Sequence, residues 1–265
     1  MITNINFEEF YNKQKDYKQF RDNPLKQEEY KVWVDWKARN LVNIIPDNLK
    51  FSSVLEIGCA FGLLLDNISK RLKIPYSFGI DISPKNIQLA QKLFPNYEFY
   101  VGTLENFAPN IFLKNNSEKF DLVILSDIIE HVLDDARFLQ KVSQITNYAL
   151  VKLPLEKCFY NKNRKYGLSD LSGHLRSYNE IEGLNLIERS GFNIINKKVE
   201  ISLKDSKGYL IWKNEQNLRV SQKTFFKKVF WTYFYNCQDV ILNNFETLYK
   251  RIWGSNLFCF IKSKS

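Results

Sequence analysis

Apolar runs of strand length alternate with segments of helical spacing from residue 53 to about residue 155. The strand-like runs are SVLEIG, YSFGID, YEFYVG, FDLVILSD and YALVKLP, and the helix-like segments are FGLLLDNISKRL, SPKNIQLAQKLF and DDARFLQKVSQI. In VLEI and LVIL the apolar residues are continuous instead of alternating with polar ones. Continuous apolarity is typical of parallel strands that helices cover on both faces. The pattern therefore predicts an α/β fold with a doubly wound parallel sheet.

Helical spacing also precedes the first strand, over residues 5–22 and 25–45. After the alternating region, NEIEGLNLIERSGF predicts a helix with Gly191 just past its end, and NIINKKVEISL predicts the strand that follows. The last strand is predicted at residues 257–262, after about fifty residues that are too many for a simple connection. We expect an insertion there that is mainly helical over residues 222–252.

These features divide the chain into four parts. The predicted parts are an N-terminal helical cap at 1–48, a core at 49–203, a helical insertion at 204–254 and a last core strand at 255–265.

Composition and charge narrow the class of protein. The chain has 265 residues, of which 45% are hydrophobic and 25% charged, an ordinary globular composition. Its apolar runs are too short to cross a bilayer, and the first 25 residues lack the apolar block of a secretory signal, so we expect a cytoplasmic protein. The four cysteines form no C-x-x-C pair and are expected to be reduced. Of the net charge of +9, most lies in residues 196–265, which hold thirteen Lys or Arg and five Asp or Glu.

The segment VLEIGCAFG, at the end of the first strand, is the strongest local signal for a binding site. Gly58 and Gly62 flank a turn into a helix, where bare backbone can approach a ligand. Asp81 ends the next strand, where an acid can accept hydrogen bonds from two ribose hydroxyls. Glu56 stands two residues before Gly58, where an acid repels a pyrophosphate and suits a cation. Together these residues predict a nucleoside site that differs from a dinucleotide site.

Over roughly residues 50–200 the chain resembles the class I S-adenosylmethionine-dependent methyltransferases. VLEIGCAFG is similar to their glycine-rich first motif, GIDIS to the motif with the ribose acid, and FYVGTLENF, FDLVILSDIIEHV and ALVKLP to the third, fourth and fifth motifs. Ala60 stands where the commonest first motif has a third glycine, and Thr103 where an adenine-binding Asp is usual. HLRSYNEIEGLNLIERSGF is similar to the closing segment of members that modify small metabolites, sugars or quinone precursors.

The resemblance implies a Rossmann-like sheet with an antiparallel last strand and S-adenosylmethionine as the cofactor. The cofactor-binding residues that it implies are Glu56, Gly58, Cys59, Ala60, Gly62, Asp81, Ile82, Thr103, Leu104 and Ser126.

The two histidines of the chain fall where this family places its acceptor pocket. His131 follows the fourth strand, and Asp127, Glu130 and His131 share one face of a helical turn. His174 lies in the loop after the fifth strand. We expect His131, His174 and Asp127 to be catalytic, because a hydroxyl acceptor needs its proton removed. A structural role of His131 in packing the following helix is the alternative.

The same residues also suggest a divalent metal. Asp127, Glu130, His131 and His174 form a D-x-x-E-H…H set that resembles the E-x-x-E-H…H site of magnesium-dependent enzymes that methylate the terminal ribose of small RNAs. However, E-H also occurs in members without a metal, so both readings stay open.

Residues 156–178 predict a loop over the acceptor. Tyr160, Arg164, Tyr166 and Arg176 are its candidate substrate-binding residues, because Arg binds carboxylate or phosphate with two parallel hydrogen bonds. The alternative is a solvated surface loop without a function in binding.

Residues 222–252 combine clustered aromatic side chains with lysines. We expect such helices to pack on their own domain, while a membrane surface, a dimer interface and nucleic acid stay open as partners. The chain is predicted to be a monomer or a homodimer.

The sequence as a whole indicates O-methylation of a small polar or anionic acceptor, such as a sugar, a nucleotide-linked sugar or a phosphoryl metabolite, as in surface polysaccharide biosynthesis. A metal-dependent RNA ribose 2′-O-methyltransferase is one alternative, but no RNA-binding module is recognisable, so we do not expect nucleic acid as a partner. A non-catalytic nucleoside-binding module is the other alternative.

Overall fold

The computed structural model describes residues 27–107, 119–167, 170 and 172–264. Its centre is one sheet of seven strands in the order β3-β2-β1-β4-β5-β7-β6. The strands are β1 (Ser53–Ile57), β2 (Tyr76–Asp81), β3 (Glu98–Val101), β4 (Phe120–Ser126), β5 (Thr146–Leu155), β6 (Phe192–Glu200) and β7 (Ser255–Ser263). The helices are α1 (Glu28–Val42), α2 (Leu63–Leu72), α3 (Pro84–Leu93), α4 (Asp135–Ile145), α5 (Glu180–Arg189), α6 (Ser206–Ser221), α7 (Phe225–Asn244) and α8 (Glu246–Trp253).

Strands β1 to β5 are parallel, and β7 runs antiparallel between β5 and β6. In the parallel part, Leu55 of β1 lies opposite Phe78 of β2 and Val123 of β4. In the antiparallel part, Val151 of β5 lies opposite Cys259 of β7. The predicted fold class, a doubly wound Rossmann-like sheet with an antiparallel last strand, is confirmed.

Each central strand contributes side chains to two hydrophobic cores, one on either face of the sheet. Leu55 and Val123 belong to one core, whereas the adjacent residues Val54 and Leu122 belong to the other. All five residues of β1 are buried. Successive side chains of a strand point to opposite faces, so a strand with helices on both sides is apolar at most positions on either face. This is the physical origin of the continuous apolar runs in the sequence.

The turn from β1 to α2 is held in an unusual backbone conformation. Gly58 and Gly62 have φ angles of 77° and 76°, and Ala60 between them has a φ of 47°. The Gly58 N–H donates a hydrogen bond of 2.8 Å to the Ile80 carbonyl, which ties the turn to the end of β2. A β-carbon on Gly62 would lie 2.8 Å from the ring of Phe99. Both the backbone angle and the close ring therefore require glycine at position 62.

The segment between β6 and β7 forms the three helices α6 to α8. It attaches to α1, because the Arg39 guanidinium lies 2.5 Å from the Asp205 carboxylate and Gly208 packs against the Trp33 ring. It also attaches to the loop after β5, where the Phe159 N–H donates to the Arg251 carbonyl at 2.9 Å. The predicted helix over 25–45 is present as α1, whereas the one over 5–22 lies outside the described residues.

Two further expectations concern membrane-spanning helices and the cysteines. Within the described residues, no helix is both long enough and apolar enough to span a bilayer. All four cysteines are free thiols, and Cys59 and Cys259 are buried.

We expect Gly62→Ala to destabilise the protein by about 2 to 4 kcal/mol, because a β-carbon meets both a left-handed backbone and the Phe99 ring. Urea unfolding followed by circular dichroism measures the change. Ala60→Gly, in the same turn, is the matched control and should shift the free energy of unfolding by less than about 1 kcal/mol, because relief of a left-handed alanine offsets the added chain entropy. Equal effects of the two changes would contradict the role assigned to Gly62.

Candidate functional site

A cavity of about 720 Å³ opens where β1, β2 and β4 reach their carboxyl ends. Ligands of open α/β sheets bind at this edge, near the point where the strand order reverses. Five of the predicted cofactor residues line it: Gly58, Asp81, Ile82, Thr103 and Leu104. The predicted catalytic residues Asp127 and His131 line it as well. The cavity thus brings the cofactor motifs and part of the acceptor side into one space.

Asp81 is fixed at the cavity wall by three hydrogen bonds. One carboxylate oxygen accepts from the Ala60 N–H at 3.0 Å, and the other accepts from the Ser83 N–H at 2.9 Å and from the Asn86 amide at 3.1 Å. Because the glycine turn supplies one of these donors, the carboxylate and the turn hold each other in position. This arrangement presents an oriented anion to a ligand in the cavity.

The other predicted cofactor residues lie beside or behind this wall. Glu56 is buried, and its carboxylate accepts a 3.0 Å hydrogen bond from the Leu65 N–H in the first turn of α2. Burial raises the pKa of Glu56 to about 8. Cys59 is buried under Gly79, and the Ser126 hydroxyl donates to Asp127 at 3.1 Å. Glu56 therefore joins the end of β1 to the first turn of α2. Ala60 and Gly62 shape the turn between these two elements.

Asp127 is held between two lysines. Its carboxylate lies 2.7 Å from the Lys37 ammonium of α1, and Lys152 of β5 contacts its second oxygen. Burial disfavours the charged carboxylate, but the two ammonium groups outweigh burial and hold the pKa of Asp127 well below its usual range. Asp127 also has a φ of 56°, a conformation that Asp tolerates better than most residues. This carboxylate stays ionised and paired at neutral pH.

Glu130, His131 and His174 form a compact cluster next to Asp127. One ligand atom from each of the three lies within 4.8 Å of the others, and the two imidazole rings meet edge to face with centroids 4.8 Å apart. Glu130 is only 1% exposed, and neither of its carboxylate oxygens has a hydrogen-bond partner among the described residues. Burial, reinforced by the charge of Asp127, raises the pKa of Glu130 to about 7.

The two histidines differ in their environment. His131 Nδ1 lies 3.0 Å from the Gly173 carbonyl, and burial lowers the pKa of His131 to about 4. His174 Nδ1 lies 2.7 Å from the Glu156 carboxylate. Burial opposes protonation of His174, but the bond to Glu156 outweighs it and raises the pKa of His174. At neutral pH His131 is therefore uncharged, whereas His174 is protonated more readily than His131.

The candidate acceptor loop is braced by its own ion pairs. Arg164 binds Asp170 through two hydrogen bonds of 2.8 Å, and it also lies 2.9 Å from Glu156. Arg176 lies 3.0 Å from the Asp135 carboxylate. Both arginines predicted to bind substrate are thus paired with carboxylates of the protein. Their binding of an acceptor stays a prediction.

The two predicted tyrosines of this loop differ in exposure. Tyr166 donates to the Glu156 carbonyl at 3.4 Å and stacks near the Arg164 guanidinium, whereas the Tyr160 residue is 68% exposed. Neither tyrosine is on the lining of the cavity that holds Asp81.

The structure groups three of the four residues predicted to bind a metal. Asp127 is not part of the cluster, because its carboxylate is held by two lysine ammonium groups. Two ligand atoms on a metal at about 2.1 Å can lie at most about 4.2 Å apart, so the remaining three residues would have to close slightly around an ion. The negative charge of an ionised Glu130, which has no hydrogen-bond partner among the described residues, would suit a metal cation. Its pKa of about 7 is equally consistent with a proton on the carboxyl group instead of a metal.

Three residues of the site were missed in the sequence. Lys152 is the one charged residue within ALVKLP, and a lone charge in a buried strand is a signal that could have identified it. Glu156 follows the same strand directly. Lys37 reaches the site from α1, far away in the sequence, and only the packing of that helix shows it.

Sequence comparisons relate the chain to known proteins. A family model described as a methyltransferase domain matches residues 26–197, more than half of the chain. A carboxy-S-adenosyl-L-methionine synthase from Yersinia pseudotuberculosis is 25% identical over an alignment 203 residues long, which covers 65% of this chain and 82% of that protein. A mitochondrial ubiquinone biosynthesis O-methyltransferase from Dictyostelium discoideum is 30% identical over an alignment 127 residues long, which covers 43% of this chain and 37% of that protein.

Solved structures share the fold. The cyclopropane synthase MmaA2 from Mycobacterium tuberculosis aligns with a TM-score of 0.60 at 13% identity, over 99% of this chain and 100% of that one. A phosphoethanolamine N-methyltransferase from Haemonchus contortus, in complex with S-adenosyl-L-methionine, aligns with a TM-score of 0.59 at 12% identity, over 93% of this chain and 60% of that one. With the glycine turn and Asp81 placed at the cavity, the chain belongs to the methyltransferase-domain family and is an S-adenosylmethionine-dependent methyltransferase.

Proposed function

We propose that this methyltransferase methylates a hydroxyl oxygen of a small polar acceptor and that the Glu130–His131–His174 cluster takes up the proton. The observation that carries the proposal is the position of His131, whose ring lines the cavity next to Asp127 while His174 and Glu130 lie against it. A hydroxyl nucleophile requires removal of its proton, so a proton acceptor at this wall fits oxygen methylation.

S-adenosylmethionine, when bound, supplies a methyl group that its sulfonium makes electrophilic. The residues that would hold it are Gly58, Asp81, Ile82, Thr103 and Leu104, all on the cavity wall. Asp81 is already oriented by three hydrogen bonds, so little reorganisation accompanies binding of a ribose. The chain thereby positions two reactants in one cavity, and positioning is the main requirement of methyl transfer.

The hydrogen bonds of His131 determine which ring nitrogen can accept a proton. A carbonyl oxygen only accepts hydrogen bonds, so in the pair with Gly173 the Nδ1 atom carries the hydrogen. In neutral His131 the basic lone pair is then on Nε2, 3.9 Å from the Glu130 carboxylate. A proton accepted at Nε2 is thus stabilised by an ionised Glu130.

The strength of this base bears on the acceptor. A sugar, a nucleotide-linked sugar or a phosphoryl metabolite remains the acceptor that the sequence predicts, as in surface polysaccharide biosynthesis. A second candidate is an acidic hydroxyl such as a phenol, because pKa values of about 4 for His131 and about 7 for Glu130 make the cluster a weak base. The name of the ubiquinone biosynthesis O-methyltransferase relatives is consistent with this second candidate. We place the reaction in the cytoplasm, which the free thiols support.

Incorporation of labelled methyl groups into a panel of sugars, nucleotide sugars, phosphorylated metabolites, phenols and RNA tests the proposal. Methylation of a hydroxyl in one small-molecule class is the expected result. Methylation of RNA alone, or of nitrogen or carbon atoms alone, would contradict it.

We expect Asp81→Asn to weaken binding of S-adenosylhomocysteine by roughly tenfold or more, because charge-assisted hydrogen bonds contribute about 1.5 to 3 kcal/mol each. Isothermal titration calorimetry measures the affinity. Asp121→Asn is the matched control, because Asp121 also accepts two backbone hydrogen bonds, at 2.7 and 3.1 Å, but lies at the opposite end of the strands. Binding of NAD in place of S-adenosylhomocysteine would show that the cofactor assignment is wrong.

We expect His131→Ala to lower turnover by roughly 10² to 10⁴ and to leave affinity for S-adenosylhomocysteine unchanged, because the imidazole accepts the proton of the acceptor. His174→Ala should lower turnover as well, since its ring supports His131. Steady-state kinetics with an acceptor from the panel, with and without EDTA, measures both. Activity lost to EDTA and restored by magnesium would assign the cluster to a metal, and full turnover in both variants would remove the cluster from the mechanism.

We expect Glu130→Gln to gain stability relative to the wild type as the pH rises. Between pH 4.5 and about 7 the folded chain keeps a proton on Glu130 that the unfolded chain releases, so the wild type loses stability over this range. Glutamine does not titrate, and the difference in unfolding free energy should grow by up to about 3 kcal/mol from pH 4.5 to 8. Urea unfolding at several pH values measures it, with the exposed Glu188→Gln as control. A difference independent of pH would contradict the raised pKa.

A further inference from the structure

Helix α7 carries an apolar stripe that faces solvent. Phe226, Val229, Phe230 and Tyr233 follow the spacing i, i+3, i+4 and i+7, which places them on one side of the helix. These residues are 85%, 56%, 63% and 72% exposed. We call these four residues the α7 stripe. Large side chains exposed in one contiguous row are unusual for a surface that only meets water.

The opposite side of α7 is packed, so the orientation of the stripe is set by tertiary contacts. The Trp231 ring lies 5.4 Å from Phe234 and 5.6 Å from Tyr235. Tyr235 meets Trp212 of α6 at 6.0 Å, and Phe234 meets Trp253 of α8 at 6.3 Å. The helix thus has an inner aromatic face that contacts α6 and α8 and an outer aromatic face that is largely exposed.

The segment that carries the stripe holds only basic charges, although Arg219 at its start lies 3.9 Å from the Glu215 carboxylate. Residues 216–238 contain no Asp or Glu but include Arg219, Lys223, Lys227 and Lys228. Lys227 and Lys228 are exposed and lie in the first turns of α7, where the helix dipole disfavours cations and where no acidic residue compensates them. An anionic partner outside the chain would relieve this repulsion.

We propose that the α7 stripe docks on an anionic membrane surface. A helix with aromatic residues on one face and lysines in the same turns is the pattern of helices that lie in the interface of a bilayer, with the apolar face among the acyl chains and the cations at the headgroups. A second copy of the chain fits less well, because a symmetric contact through the stripe would bring the lysines of two copies together.

The stripe belongs to the part of the chain that is attached to the acceptor side of the site. The backbone of α8 accepts hydrogen bonds from Phe159 and Tyr160, in the loop that also holds Glu156 and His174. Docking would therefore place the enzyme on the bilayer through elements that support the catalytic cluster. The proposal stands apart from the acceptor class, since vesicle binding is measured without any reaction.

Co-sedimentation of the full chain with large unilamellar vesicles tests the proposal. We expect binding to phosphatidylcholine vesicles that contain about one third phosphatidylglycerol, with roughly tenfold weaker binding to phosphatidylcholine alone and a loss of binding at high salt. Phe226→Ser with Phe230→Ser should weaken binding roughly tenfold or more, and so should Lys227→Glu with Lys228→Glu. All variants should keep their affinity for S-adenosylhomocysteine, which shows that they are folded.

Matched controls separate the stripe from general surface effects. Tyr76→Ser with Ile195→Ser removes exposed apolar side chains elsewhere, and Lys50→Glu with Lys92→Glu makes the same charge change on other surfaces. Both controls should bind vesicles like the wild type. Equal binding to neutral vesicles, equal losses in the controls, or full binding by the stripe variants would overturn the proposal. So would a dimer, detected by analytical ultracentrifugation, that only the stripe variants abolish.

Discussion

Burial of β1 and β4 on both faces is the constraint on which the rest of the molecule depends. With helices on either side, these strands are apolar at their centres and carry polar residues at or near their ends, and their carboxyl ends are where the backbone leaves the sheet. Asp81 and Asp127 occupy the corresponding ends of β2 and β4, beside the turn that follows β1. The apolar core thus concentrates the polar chemistry of the protein at one edge.

That edge holds more charge than its burial would tolerate without compensation. Asp127 stays ionised because Lys37 and Lys152 contact it, whereas Glu130 has no such partner and its pKa is raised. Two carboxylates three residues apart therefore differ in protonation because of their neighbours. Glu130, which has no lysine partner among the described residues, lies against the two histidines. A carboxyl group there that gains or loses a proton near neutral pH is suited to proton transfer.

Much of the fold follows from local pattern, and much of the site does not. The apolar runs predicted strands that the structure places within a few residues, and the last strand, predicted at 257–262, spans Ser255–Ser263. The pairing of His174 with Glu156, the bracing of Arg164 by Asp170 and the arrival of Lys37 were not predicted. Each of these contacts joins residues whose separation along the chain carries no periodic signal.

The amino-acid sequence by itself determined the class of fold, the glycine turn, the acid at the end of β2 and the presence of two histidines after strands whose carboxyl ends meet at one edge. These properties depend on residue type and spacing, because residue type and spacing determine local backbone conformation and which side chains are buried. Only the tertiary structure decided which carboxylate is paired, which histidine is neutral and which face of α7 is exposed. Those properties depend on the distance between groups that come from different elements, and such distances exist only once the helices are packed on the sheet.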